Sequence, residues 1–182
     1  MDFDGTISEI AATPDQAEIS PICARMLERL SGKLAMVSVV SGRAVDDLRR
    51  KVGLDGLVYV GNHGAEYLVD GERTVAARVS EHMSTIRAVF DHLRAGVDGP
   101  GLVWQDKGLS VSVHYRLAPD VSHARCALEA ALRSAPGSGD IEVFWGKQVL
   151  ELRPHTNTDK GYAVRRLASE ERLDSLIFLG DD

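Results

Sequence analysis

The order of apolar and polar positions divides the chain into three stretches. Residues 34–40 (Leu-Ala-Met-Val-Ser-Val-Val) form a nearly unbroken apolar run that ends at Ser41-Gly42-Arg43. That is the pattern of a strand buried on both faces of a parallel sheet. A helix is predicted ahead of it. Ser20 stands at a capping position, Pro21 suits the first turn, Ile22, Met26, Leu27 and Leu30 share a face, and Gly32 stops it. After the strand, Val45, Leu48 and Val52 mark a short helix closed by Gly53. Residues 57–60 (Leu-Val-Tyr-Val) then make a second strand running into Gly61-Asn62-His63-Gly64. This strand–helix–strand alternation predicts an α/β layer sandwich. Asp70-Gly71 predicts a hairpin turn between 67–69 and 73–75.

The middle stretch follows another rhythm. Met83, Ile86, Val89, Phe90 and Leu93 are spaced as the core face of a helix over 80–95. Strands are predicted at 102–106 and 109–116, joined at Lys107-Gly108, and a helix over 120–134. Ala135-Pro136-Gly137-Ser138-Gly139 is a loop, and two more strands, 141–144 and 148–153, turn at Gly146. The parallel pattern then returns. Lys160-Gly161 opens a helix with Val164, Leu167 and Ala168 inward, and 176–179 is a buried strand ending at Gly180-Asp181-Asp182. The expected organisation is an α/β core, 1–78 and 154–182, interrupted by an α+β unit over 79–153.

Composition narrows the class without changing that picture. At 182 residues, 44% hydrophobic and 26% charged, the chain is an ordinary globular sequence. A net charge of −6 gives no bulk attraction for nucleic acid or an anionic membrane. No apolar run is long enough to span a bilayer. The acidic start Met1-Asp2-Phe3-Asp4 is unlike a signal peptide, so a cytoplasmic chain is expected. Cys23 and Cys126 fall in predicted helices and read as reduced core thiols.

The chemistry concentrates at the ends of the predicted strands. In Asp2-Phe3-Asp4-Gly5-Thr6, carboxylates at i and i+2 of an extended segment point the same way, and like charges so close repel. A divalent cation or a shared proton resolves the repulsion; a solvated acidic turn is the plainer alternative. Ligand sites of parallel α/β sheets lie beyond the carboxyl ends of the strands. There the chain offers Ser41-Gly42-Arg43, Gly61-Asn62-His63-Gly64 and Gly180-Asp181-Asp182, with Lys160 at a helix start. Acidic pairs with few other donors favour Mg²⁺, and no Cys/His spacing supports zinc. Two carboxyls, a hydroxyl, a lysine and Mg²⁺ suit phosphoryl transfer through an aspartyl-phosphate.

The succession Asp2-x-Asp4-Gly-Thr, Ser41, Lys160, Gly180-Asp181-Asp182 resembles the four motifs of haloacid dehalogenase-like phosphatases. Four further segments are similar to the trehalose-6-phosphate phosphatase family in the same order. They are Val40-Ser41-Gly42-Arg43, Gly61-Asn62-His63-Gly64-Ala65-Glu66, Lys107-Gly108 leading to His114-Tyr115-Arg116, and Glu151-Leu152-Arg153-Pro154. The resemblance implies a Rossmann-like parallel-sheet core with an inserted α+β cap that closes over the sugar. It implies Asp2 as nucleophile and Asp4 as general acid and then base. Ser41 and Lys160 would hold phosphate oxygens, and Asp2, Asp4, Asp181 and Asp182 would hold Mg²⁺. Substrate contacts fall to Gly42, Arg43, Asn62 and His63, and in the cap to Lys107, His114, Arg116 and Glu151.

The cap residues also have a reading of their own. In 109–116, Ser110, Ser112, His114 and Arg116 alternate with Leu109, Val111, Val113 and Tyr115, and Glu151 and Arg153 lie opposite Leu150 and Leu152. Such a polar wall suits a sugar, or is a solvated face balanced by Glu–Arg pairs. The expected activity is Mg²⁺-dependent hydrolysis of trehalose 6-phosphate, with a trehalose-6-phosphate synthase as functional partner. A phosphatase for sucrose phosphate or mannosyl-3-phosphoglycerate and a non-catalytic sugar-phosphate sensor are the alternatives. The family pattern has a strand before Asp2 and a Thr-Asp-Glu segment after Asp182. The chain is therefore expected to be incomplete at both ends, and poorly stable or inactive as it stands.

Overall fold

The computed structural model describes residues 1–156 and 158–181. The chain forms two compact units, Met1–Ala76 with Asn157–Asp182, and Ala77–Thr156.

In the first unit, strand β1 (Ser38–Val40), helix α2 (Val45–Val52) and strand β2 (Val58–Gly61) make the βαβ element, with helix α1 (Pro21–Ser31) ahead of it. β1 and β2 pair in parallel, Ser38 opposite Val58. Strands β3 (Glu66–Val69) and β4 (Glu72–Val75) continue the sheet antiparallel, in the order β1-β2-β3-β4. The sheet is therefore mixed rather than all parallel. The change comes at Asn62–Gly64, where Asn62 and His63 take positive φ (47° and 54°) and the chain returns as β3 against β2; Asp70-Gly71 (φ 50° and 83°) then returns β4 against β3. Every residue of β2 is buried, because both faces of the sheet are covered. Val39, Tyr59 and Leu68 pack with Leu27 of α1 and with Val45, Leu48 and Val52 of α2. Val40, Val58, Val60 and Tyr67 pack with Ala163 and Leu167 of helix α5 (Lys160–Glu170).

Three expectations are corrected here. In α1 the inward stripe is Cys23, Leu27 and Leu30, whereas Ile22 and Met26 are 61% and 46% exposed. The periodicity is compatible with both stripes, and packing against the sheet and α2 selects the one that carries Leu27. Ser20 makes no side-chain cap. The 176–179 run is not a strand among the described residues. It is tied in by one bond, Asp2 N–H to the Leu179 carbonyl at 2.8 Å, and its apolar side chains are exposed. Met1 does pair along β1: Val40 N–H donates to its carbonyl and its own nitrogen donates to Ser38 O, both at 2.8 Å.

In the second unit, strands β5 (Val103–Asp106), β6 (Val111–His114), β7 (Glu142–Gly146) and β8 (Val149–Arg153) form an antiparallel sheet ordered β5-β6-β8-β7. Helices α3 (Val79–Gly96) and α4 (Val121–Ser134) contribute Ile86, Val89, Leu93 and Leu128 to a core with Val111, Val113, Leu150 and Leu152. The period-2 alternation of β6 and β8 is what gives the sheet this single apolar face. The β7–β8 turn is Lys147-Gln148 rather than Gly146, with Gln148 taking the left-handed conformation (φ 63°). Cys126 is exposed on α4 and is not a core thiol; Cys23 is partly buried, and both are free. Among the described residues, no helix is long and apolar enough to cross a membrane.

Candidate active site

The two carboxylates of the first motif receive separate partners. Asp2 is buried. Its Oδ1 accepts the Phe3 N–H at 2.7 Å and its Oδ2 accepts from Lys160 Nζ at 2.5 Å. Lys160 is the first residue of α5, whose N-cap Asp159 accepts the Tyr162 N–H at 2.5 Å, so a secured helix start presents the ammonium. Asp4 instead meets Arg43: Nε donates to Oδ2 at 2.9 Å and Nη2 to Oδ1 at 2.7 Å. The expected repulsion between the carboxylates is thus met by two protein cations.

Gly5 (φ 81°) turns the loop so that the N–H groups of Thr6, Ile7 and Ser8 all reach the Phe3 carbonyl. Asp181 runs alongside: a Cβ on Gly5 would overlap its carboxylate. Asp182 lies outside the described residues.

The ends of β1 and β2 are stitched together. His63 N–H donates to Ser41 O at 3.0 Å, and Asn62 N–H to Arg43 O at 2.7 Å. Ser41 is buried and its Oγ accepts the Arg43 N–H at 3.2 Å. Asn62 and His63 both take left-handed φ (47° and 54°), and the His63 ring lies over Gly42, where a Cβ would collide with it. Sequence reasoning missed what holds these loops. Glu66 is 0% exposed. Its Oε1 accepts Val45 N–H at 2.8 Å and Asn62 Nδ2 at 2.6 Å, and its Oε2 accepts Arg73 Nη2 at 2.5 Å. The available signal was a carboxylate inside an apolar strand, which requires partners.

A Cβ at Gly61 would come within 2.5 Å of Val45 N and 2.8 Å of the Arg43 carbonyl. Gly61→Ala is therefore expected to cost about 3 kcal/mol by pushing backbone against backbone. Urea unfolding checks this; a loss below about 0.5 kcal/mol would mean the loops separate freely.

Arg43 is drawn inward, with its side chain 8% exposed. Burial works against its charge, but the hydrogen bonds and charge of Asp4, then those of Asp47, outweigh it and leave the guanidinium pKa above its ordinary value.

In the second unit, the register places Gln105, Ser112, Glu151 and Phe144 in one row across the polar face. Buried Glu151 sits at its centre, paired through Oε1 with Lys107 and through Oε2 with Arg153 Nη2 at 2.6 Å. His114 Nε2 lies 3.2 Å from Ser112 Oγ and 3.3 Å from Gln105 Oε1. Arg116 reaches the Lys147 carbonyl at 3.5 Å, the long limit of a hydrogen bond. Gln105, Ser112 and Arg153 join this face beside the expected residues.

Among the described residues, no three His, Cys, Asp or Glu side chains cluster as a metal cage. The side-chain donors at the Asp2–Gly5 loop are carboxylate oxygens, those of Asp2 and of Asp181, which lies against Gly5. That set fits a hard cation that keeps several waters and takes one or two carboxylates, and does not fit zinc.

The sequence matches the trehalose-phosphatase family profile over residues 1–182. The chain belongs to the trehalose-phosphatase family. It is 35% identical over 194 residues to a trehalose-phosphate phosphatase of Mycobacterium bovis, covering 100% of this chain and 48% of that protein. The chain thus spans about half the length of the curated relatives it matches. A crystal structure of a trehalose-6-phosphate phosphatase related protein superposes with a TM-score of 0.78 at 25% identity, over 94% of this chain and 73% of that one. A haloacid dehalogenase-like hydrolase from Bacteroides thetaiotaomicron shares the fold, with a TM-score of 0.62 at 16% identity over 93% of this chain and 74% of that one.

Proposed function

We propose that the protein hydrolyses trehalose 6-phosphate to trehalose and phosphate. The observation that carries the reading is the pairing of buried Asp2 with Lys160, together with the family match along the whole chain. An Asp2 oxygen attacks phosphorus, the bond from phosphorus to the sugar oxygen breaks, and Asp4 gives that oxygen its proton. Water then attacks the aspartyl-phosphate, Asp4 takes the proton back, and phosphate leaves with Asp2 restored. Lys160 Nζ and Ser41 Oγ stabilise the phosphoryl oxygens. A magnesium ion held by Asp2, Asp181 and the Asp4 carbonyl would supply further positive charge there. Sugar recognition is assigned to the polar face bearing Lys107, His114, Arg116 and Glu151. A trehalose-6-phosphate synthase would supply the substrate.

The test is phosphate release from trehalose 6-phosphate, sucrose phosphate and mannosyl-3-phosphoglycerate, with and without a chelator. Expected are kcat/KM at least ~10²-fold higher for trehalose 6-phosphate, as polar-group recognition allows, and loss of turnover that added Mg²⁺ restores. Equal rates on all three would remove the trehalose specificity. Full turnover in chelator would remove the metal.

A further inference from the structure

Sequence reading places Arg43 among the substrate contacts, but its guanidinium is occupied within its own unit. Of its five N–H donors, Nε and Nη2 hold the two oxygens of Asp4 at 2.9 and 2.7 Å. Nη1 holds Asp47 Oδ2 at 2.9 Å and the Pro14 carbonyl at 3.0 Å. The guanidinium carbon also stands 5.2 Å from the centroid of the buried Phe3 ring. Little of it is left for a ligand. Asp4 differs: 42% of its side chain is exposed, and each carboxylate oxygen has a second lone pair besides the one that meets Arg43.

We propose that Arg43 is a positioning residue, a fork fixed by Asp47 and Pro14 that holds Asp4 in one orientation for proton transfer. This rests on the reading of Asp4 as the group that protonates the leaving oxygen. An exposed aspartate alone would spread over several rotamers. Two parallel charge-assisted bonds to a planar donor leave it one. Asp2 needs no such fork, being buried and bonded at both oxygens. Lysine cannot replace the arginine, since a point charge sets distance but not carboxylate rotation.

The experiment compares wild type, Arg43→Gln, Arg43→Lys and Asp47→Asn on two substrates. Trehalose 6-phosphate leaves as an alkoxide and needs the proton; p-nitrophenyl phosphate leaves as a stable phenolate and does not. Expected for Arg43→Gln is a kcat/KM loss of roughly 10²-fold on the sugar phosphate and under about 5-fold on the aryl phosphate, with KM for the sugar phosphate within about 3-fold of wild type. Arg43→Lys falls between, and Asp47→Asn shows the same selectivity more weakly. In an Asp4→Asn background, Arg43→Gln adds no further loss. Equal losses on both substrates, or a KM rise at unchanged kcat, would overturn the proposal and return Arg43 to the substrate contacts. A crystal structure of Arg43→Gln gives a readout apart from turnover. Several Asp4 rotamers support the fork; an Asp4 as ordered as in wild type overturns it. A wild type inactive on both phosphates, with Asp4 disordered in the variant, would sink the phosphatase reading and leave the fork standing.

Discussion

Asp2→Asn lowers turnover of the sugar phosphate by on the order of 10⁴-fold or more, the scale seen when a covalent nucleophile is removed. The amide keeps an oxygen to accept the Phe3 N–H, so the local turn survives. It brings no nucleophilic oxygen lone pair of comparable strength to phosphorus, and its NH₂ cannot accept from Lys160. Lys160 loses its partner but is 20% exposed at the side chain and reaches water. The stability loss is accordingly about 1–2 kcal/mol, below that of a fully buried broken pair. Substrate binding is expected to persist, because the phosphate contact proposed for Ser41 does not involve the Asp2 carboxylate. Turnover assays with binding by calorimetry check both halves of the prediction. Turnover within tenfold of wild type would end the assignment of Asp2 as nucleophile.

Glu66→Ala is expected to produce a stability loss as large as that of truncating a core side chain. The carboxylate has three protein partners and no exposure. Its removal takes away the acceptor of the buried Val45 N–H and the bond from Asn62 Nδ2; Arg73, 42% exposed at the side chain, recovers water. A cost of about 3–5 kcal/mol follows, which for a chain of this size is a Tm drop on the order of 10 °C. Glu66→Gln keeps one acceptor and loses the ion pair, so about half of that loss is expected. The loss also reaches the site, since Glu66 is what ties the left-handed Asn62 to the start of α2. Thermal and urea unfolding of the two variants decide it. An alanine variant within about 1 kcal/mol of wild type would show that water takes over the bonds.

Glu66 and Arg43 mark where sequence reading stops. Asp2 and Lys160 are 158 residues apart, and Arg43 and Asp4 are 39 apart. Each could be placed beyond a strand or at a helix start from local pattern, but not matched to its partner. Arg43 reads as a substrate contact because Val40-Ser41-Gly42-Arg43 resembles a family segment, and nothing local reveals that Asp47, one helical turn on, and the Pro14 carbonyl turn it inward. Glu66 reads as one letter of a motif, and only the β2–β3 hairpin brings Val45, Asn62 and Arg73 around it.

By itself the sequence determined the order of helices and strands up to α5, the βαβ start, the Asp70-Gly71 hairpin and the single-faced sheet of the second unit, because periodicity and turn chemistry act over a few neighbouring residues, and its motifs carried the family. Tertiary structure alone decided that β3 returns antiparallel to β2, that α1 turns Ile22 and Met26 outward, that 176–179 forms no strand among the described residues, and which cation each carboxylate receives. Those outcomes depend on groups far apart in sequence arriving within about 3 Å with the right orientation, and hydrophobic patterning records burial without recording that direction.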